Sequence, residues 1–90
     1  MPDLRIPSHV VDFKLQLLDG EAVIFHPASK KVVHASPSAA LIWELCDGQR
    51  SVEQIVELLT DEYPDARTEI EQDVPETLNL FANSGVVEWD

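Results

Sequence analysis

Residues 31–43, Lys-Val-Val-His-Ala-Ser-Pro-Ser-Ala-Ala-Leu-Ile-Trp, contain the change of hydrophobic pattern that decides the fold. Up to Ala35 the apolar residues come in short runs rich in β-branched side chains, a pattern typical of strands. From Ser36 they follow a helical period, and Ser36 and Pro37 are predicted to be the N-cap and the first residue of a helix. The sequence is therefore divided near Ser36 into a strand-forming part and a helix-forming part.

The strand-forming part predicts a three-stranded antiparallel meander. Its first strand lies within residues 10–18 and its second covers residues 22–25, with Asp19-Gly20 as the hairpin turn between them. Residues 27–30 predict another tight turn, and residues 31–35 the third strand. A sheet of this size is not stable unless one face is covered, so the later helices are expected to pack against it.

Two helices with clear start and stop signals are predicted directly after the strands. The first runs from Ser36 through Cys46 and ends at Gly48, which supplies a left-handed stop. The second opens with a capping box at residues 51–54, keeps apolar residues at i, i+3, i+4 and i+7, and ends at Pro64.

The third helix has a less regular sequence. Another capping box at residues 68–71 predicts its start and Gly85 its end, while Pro75 removes a backbone hydrogen bond inside it. We expect either a kink near Gln72 or a short turn followed by the main helix. Residues 86–89 predict a short extended segment. The fold class is thus α+β, a three-stranded antiparallel meander followed by a three-helix bundle.

The length and charge of the chain restrict its function. Ninety residues fit a single domain, here residues 1–90 with residues 1–9 as a loose N-terminal segment. Seventeen acidic side chains against six basic ones give a net charge of -11, which disfavours binding to nucleic acid or to anionic membranes. The 44% apolar content is too high for a disordered acidic tail, so a packed core is expected.

The acidic residues are concentrated in the second half of the chain. Residues 1–40 contain four acidic and four basic side chains, whereas residues 41–90 contain 13 acidic side chains and only Arg50 and Arg67 to balance them. Two interpretations remain open. The acidic half is either a solvated surface that keeps the protein soluble, or an electrostatic guide for a basic partner.

No residue pattern indicates catalysis, a metal or a cofactor. Cys46 lies on the apolar side of the first predicted helix, where a small buried side chain is expected rather than a nucleophile. His9 is near the loose terminus, and His26 and His34 are on neighbouring strands with no acidic or cysteine ligand at a metal-binding spacing. With a single cysteine, no signal-peptide pattern and no apolar run as long as a membrane span, the sequence favours a cytoplasmic protein that is not an enzyme.

The third predicted strand, residues 31–35, comes last in the meander and is expected at a sheet edge with unpaired N–H and C=O groups. In one interpretation Lys30 and Lys31 guard this edge. In the other, an extended peptide adds to it as a further strand, and nearby side chains supply specificity. Trp43 is expected in the core, and Trp89 remains a candidate interface residue.

Several short stretches, taken in order, resemble the PqqD family. They are residues 22–27 (Ala-Val-Ile-Phe-His-Pro), 36–43 (Ser-Pro-Ser-Ala-Ala-Leu-Ile-Trp), 45–48 (Leu-Cys-Asp-Gly) and 50–56 (Arg-Ser-Val-Glu-Gln-Ile-Val), then Tyr63-Pro64, Asp73-Val74, Leu78, Phe81 and Gly85. The resemblance covers roughly residues 10–88. It implies a RiPP recognition element, a small domain resembling a winged helix-turn-helix. Such domains bind the leader of a ribosomally synthesised precursor peptide and present it to a modifying enzyme, often a radical SAM protein.

The resemblance also implies where the leader peptide binds. Leader peptides of this family pair with the third strand and lie against the third helix, and in PqqD itself the precursor becomes the cofactor pyrroloquinoline quinone. The implied peptide-binding residues of this chain are Lys31, Val32, Val33, His34 and Ala35 on the strand and Asp73, Val74, Thr77, Leu78 and Phe81 on the helix. With Lys30 and Lys31 beside one wall and Asp73 and Glu76 near the other, we expect a partner with basic residues on its helix-facing side.

Two other functions fit the same predicted elements. A transcriptional winged helix also combines strands with three helices, although the acidic second half argues against contact with DNA phosphates. The other alternative is a general protein-docking module that has no peptide substrate.

Overall fold

The computed structural model of the chain describes residues 3–89, and it confirms the α+β class. The elements, in chain order, are β1 (Pro7–His9), β2 (Lys14–Leu18), β3 (Glu21–His26), β4 (Lys31–Ala35), α1 (Pro37–Glu44), α2 (Val52–Glu62), a 3₁₀ turn (Pro64–Ala66), α3 (Arg67–Asn83) and β5 (Val87–Trp89).

Strands β2, β3 and β4 form the predicted antiparallel meander, with β3 in the centre. The register pairs Lys14 with Phe25 and Leu18 with Glu21, and it continues without a bulge through both ladders. The two-residue connection at Asp19 and Gly20 confirms the predicted hairpin, and Gly20 adopts a φ of 73°. Within residues 3–89 the sheet consequently has two open edges, one at β2 and one at β4.

The helices cover one face of this sheet. Along β3, Ala22 and Ile24 are fully buried beneath the helices, whereas Val23 and Phe25 point to the other face and are half-buried. The core joins Ile24 to side chains from all three helices and from the residues around β5. Its buried members are Ile24, Ile42, Trp43, Cys46, Val52, Ile55, Leu59, Val74, Leu78, Phe81, Val86 and Val87.

The predicted starts of the first two helices are confirmed. The Ser36 hydroxyl accepts a hydrogen bond from the Ala39 amide at 3.2 Å, and Pro37 is the first residue of α1. Ser51 and Gln54 form the reciprocal capping box at the start of α2. Helix α1 ends at Glu44, a little before the predicted Gly48 stop.

Helix α3 differs from the prediction at its start and in its middle. The capping box predicted at residues 68–71 does not form, because the 3₁₀ turn leads directly into Arg67 and places Thr68 inside the helix. The helix also continues through Pro75, so of the two predicted alternatives the short turn followed by a separate main helix is wrong. An interior proline costs about 3 kcal/mol. Burial of the neighbouring Val74 and Leu78 in the core offsets this cost.

The N-terminal segment that was predicted to be loose contains strand β1, so that prediction is wrong for residues 7–9. Pro7 pairs with Trp89 and His9 with Val87 in a two-stranded antiparallel sheet. The His9 amide also donates to the Cys46 carbonyl at 2.9 Å, which attaches the strand to the end of α1. Residues 1 and 2 lie outside the described residues.

Trp43 connects both ends of the chain to α1. Its ring stacks on that of His9 with the two centroids 3.9 Å apart, and its Nε1–H donates to the Val86 carbonyl at 3.1 Å. The side chain is only 4% exposed, which confirms the predicted core position. Trp89 is half-buried, and the Arg5 guanidinium lies 4.3 Å from its ring centroid.

Within residues 3–89, no helix combines the length and the apolar character needed to cross a bilayer. The same residues contain no group of three or more His, Cys, Asp and Glu side chains placed to hold a metal ion. Cys46 is fully buried and its thiol lies 3.2 Å from the Ile42 carbonyl, to which it donates. Burial raises the pKa of this thiol to about 12.

We predict that Cys46 is protected from alkylation in the folded protein. At pH 8 about one thiol in ten thousand is ionised when the pKa is near 12, against about one in ten at the ordinary value of 9.0. Labelling by iodoacetamide, followed by mass spectrometry, is therefore expected only on unfolding. The same reaction in concentrated urea is the control, and rapid labelling in native buffer contradicts the burial of Cys46.

Candidate functional site

Strand β4 contributes five of the implied peptide-binding residues and lies at an edge of the sheet, as predicted. Among residues 3–89, no strand pairs with its outer side. Val33 and Ala35 turn toward the core and are half-buried, whereas Lys31, Val32 and His34 are exposed. The edge therefore combines an accessible backbone with a mixed row of side chains.

The register also indicates which backbone groups of β4 face outward. A two-residue hairpin is closed by a hydrogen-bonded pair, here Leu18 and Glu21, and such pairs recur at every second residue. In the central strand, Ile24 then directs its N–H and C=O toward β4, where its partner is Val33. The N–H and C=O groups of Val32 and His34 consequently point away from the sheet and are available to a further strand.

A cavity of about 560 Å³ opens directly after the end of β4, between the start of α1, the end of α2 and α3, and its lining includes none of the five β4 residues. Of the five residues that the resemblance implies on α3, Asp73, Val74 and Thr77 line it. The opposite wall comes from the start of α1, which follows β4 directly, and the floor is largely apolar. Further lining residues are Ser36, Pro37, Leu41, Leu59, Tyr63 and Ile70.

Leu78 and Phe81, the other two residues implied on α3, are not among the residues that line this cavity. They are 0% and 5% exposed and belong to the hydrophobic core. The reason is their place in the i, i+4 stripe of α3, which packs against α1 and α2. They hold α3 in place against the other two helices.

At the other end of β4, Lys31 lies beside Gly85, which follows α3; the stretch between this pair and the cavity, with β4 on one side and α3 on the other, is called the cleft below. The Lys31 ammonium lies so close to Gly85 that a Cβ there would be 2.9 Å from its Nζ. A positive charge beside the C-terminal end of α3 is also favourable for the helix dipole. Since Ser36 and Thr77 line one cavity and Lys31 lies beside Gly85, β4 and α3 run in opposite directions.

The charges of the cleft are therefore separated along its length. Among the residues lining the cavity, Asp73 alone is charged, and it lies at the end opposite Lys31. Glu76 is exposed but does not line the cavity, so the predicted acidic wall reduces to Asp73. Further from the cleft, the Glu71 carboxylate accepts a 2.8 Å hydrogen bond from Arg67 and raises the pKa of that guanidinium.

Sequence reasoning missed the contribution of α2 and its C-cap to the cavity. Leu59 and Tyr63 belong to the i, i+3, i+4, i+7 pattern that predicts α2, and this pattern by itself does not indicate that they line a cavity. The available signal was the position of Tyr63 directly before Pro64, where the helix ends and a large ring remains 57% exposed. Leu41 on α1 is likewise 36% exposed and lines the cavity.

Comparison with protein-family models matches residues 21–87 to the family described as coenzyme PQQ synthesis protein D (PqqD). Among solved structures, the complex of TbiB1 with the TbiA(beta) leader peptide is similar, with a TM-score of 0.71 and 23% sequence identity. The similarity covers 90% of this chain and 94% of that chain, and it shows a shared fold. No curated protein sequence matches the chain.

We predict that Leu78→Ala lowers the free energy of unfolding by about 2–5 kcal/mol, because it leaves a cavity in the core. Thr77→Ala, one residue away on the half-exposed side of α3, is the matched control and is expected to change stability by less than about 1 kcal/mol. Urea denaturation measures both values. Equal effects of the two substitutions contradict the assignment of Leu78 to the core and Thr77 to the cleft.

Proposed function

The chain belongs to the PqqD family, and from that premise we propose that it binds the leader segment of a ribosomally synthesised precursor peptide. The leader adds to β4 as a fourth strand of the sheet and lies in the cleft beside α3. The observation that carries this proposal is the open edge of β4 next to the cavity lined by Asp73, Val74 and Thr77. The TbiB1 complex, which has the same fold and holds a leader peptide, supports it.

Strand addition divides the recognition between backbone and side chains. The outward N–H and C=O groups of Val32 and His34 pair with any extended peptide, so they contribute affinity without sequence preference. Preference arises where alternate side chains of the bound strand turn toward the protein. One such position, at the Ala35 end of β4, meets the largely apolar cavity, and a leader residue that fills it is selected by shape and by Asp73.

We propose a binding role without catalysis, in which the bound leader positions the rest of the precursor for a separate modifying enzyme. Cys46, the one thiol of the chain, is buried and held in its protonated form. Following the family, a radical SAM protein is the first candidate for that enzyme, and a PqqA-like precursor of pyrroloquinoline quinone the first candidate for the peptide. The proposed compartment is the cytoplasm, where precursor peptides are made.

The DNA-binding alternative is opposed by the charge of the helix that would approach the duplex. Helix α3 contains Glu69, Glu71, Asp73 and Glu76, against a single basic residue, Arg67. Contact with phosphates requires lysine and arginine side chains that release counterions. Peptide binding at the sheet edge does not require such basic side chains.

We predict that His34→Pro weakens leader binding by about tenfold or more, because it removes an outward N–H and places a ring in the new ladder. His34→Ala removes the imidazole but keeps the N–H, and it is the matched control. The probes are synthetic peptides that span the N-terminal halves of short open reading frames encoded beside this gene. Isothermal titration calorimetry gives the affinities, and circular dichroism verifies the fold of each variant.

NMR amide shifts on titration locate the bound peptide. Shifts centred on residues 31–36 and on the Asp73–Thr77 side of α3 support the proposed site. Shifts confined to other elements, or equal affinities of the His34→Pro and His34→Ala variants, contradict strand addition at β4.

We predict that Asp73→Asn slows association with the leader by about 1.5- to 5-fold, the effect of losing one exposed ion pair. The reason is that Asp73 is the charged group of the cavity and attracts a lysine or arginine of the leader. Glu76→Gln removes the same charge from α3 outside the cavity and is the control. Stopped-flow rates that fall equally in both variants, or in neither, contradict a specific role for Asp73.

A further inference from the structure

The second open edge of the sheet, at β2, has properties that the proposed function does not use. Strand β2 pairs with β3 on one side, and no other strand of residues 3–89 lies on its outer side. Its residues are exposed except for Leu15, which is half-buried. Leu17 and Leu18 are 67% and 50% exposed, so the edge presents apolar side chains as well as free backbone groups.

Natural sheet edges are normally protected against pairing by prolines, bulges or several charged side chains. Strand β2 contains no proline, and its ladder with β3 has no bulge. Its one charge is Lys14, at its first residue. An edge of this kind is suited to pairing with another strand, and its sequence indicates which strand.

We propose that β2 is a self-association surface, on which a second copy of the chain pairs its own β2 antiparallel to form a continuous six-stranded sheet. A two-fold axis through Gln16 overlaps all five residues of the two strands. Because Leu18 and Glu21 form the hydrogen-bonded pair that closes the hairpin, Leu15 and Leu17 direct their backbone groups outward. Each Leu15 then pairs with the partner's Leu17, which gives about four backbone hydrogen bonds across the axis.

The side chains match in the same register. On the face that carries the helices, Leu15 lies beside the partner's Leu17 and covers part of its exposed surface. On the opposite face, Lys14 lies beside the partner's Leu18, and the partner's Glu21 is one strand further in the same row. Two strand spacings amount to about 10 Å between Cα atoms, a distance that a lysine and a glutamate side chain bridge together. Symmetry repeats this attraction, and no like charges face each other.

The charge distribution also favours the sheet over the helices as the place where two copies meet. The meander, residues 14–35, contains three lysines and two acidic residues, whereas the excess negative charge lies in residues 41–90. Approach through β2 joins the two copies at their near-neutral ends. Salt screens the residual repulsion, since the Debye length falls from about 10 Å at 0.1 M to 3 Å at 1 M. Both β4 edges remain open at the outer ends of the six-stranded sheet.

Sedimentation velocity over a micromolar to sub-millimolar series tests the proposal. We expect a monomer–dimer equilibrium whose dimer fraction rises with salt. Leu17→Lys is expected to raise the dimer dissociation constant at least about tenfold, because it places one cation on each side of the axis and removes the apolar contact with the partner's Leu15. Leu80→Lys, at a similarly exposed leucine of α3, is the control and is expected to leave the constant unchanged. A monomer at every concentration and salt condition overturns the proposal.

A charge exchange distinguishes this pairing from association elsewhere. Lys14→Glu is expected to weaken the dimer by about two- to thirtyfold, since it converts two attractions into repulsions. The double variant Lys14→Glu/Glu21→Lys is expected to restore it, because the charges then match again in the same register. A dimer that is insensitive to Leu17→Lys and to this exchange, or that His34→Pro on β4 abolishes instead, overturns the proposal.

Discussion

The burial of Ile24 is the constraint on which the rest of the structure depends. This side chain lies at the centre of the middle strand, fully enclosed between the sheet and the helices. Since side chains and backbone groups both alternate along a strand, its orientation decides the face of every neighbour in the sheet. Leu15 and Val33 flank it on the core face, and Val32 and His34 are left with outward backbone groups at the β4 edge. A slip of one residue would expose the core and reverse the edge.

The local signals of the sequence predicted the elements that depend on neighbouring residues. The Ser36 cap, the Ser51 capping box and the Asp19-Gly20 turn each act over a few residues, and all three form as predicted. Strand β1 could not be predicted in this way. It has three residues, and its partner β5 is almost the whole chain away, so no local pattern distinguishes it from a loose terminus.

For the candidate site, too, the sequence predicts the features that depend on chain order and neighbouring residues, and it does not predict those that depend on tertiary packing. The position of β4 at an edge follows from its place at the end of a meander, so it was predictable. Which residues of α3 line the cavity depends on how the helix is rotated against α1 and α2, and the apolar stripe alone did not separate Val74 from Leu78. Tyr63 was missed because its exposure depends on where the chain turns after α2, a property of tertiary packing rather than of periodicity.

The two edges of one small sheet differ in what lies beside them, and this difference separates their proposed partners. At the end of β4, helix α3 and the start of α1 form a largely apolar cavity that includes Asp73. The affinity for a strand added there therefore depends on its side chains as well as on its backbone. A strand added at β2 contacts mainly the side chains of β2 itself. Pairing at β2 is therefore selective only through the match of Lys14, the leucines and Glu21 with the strand that arrives. A second copy of the chain has the complementary residues at these positions, whereas an arbitrary peptide does not.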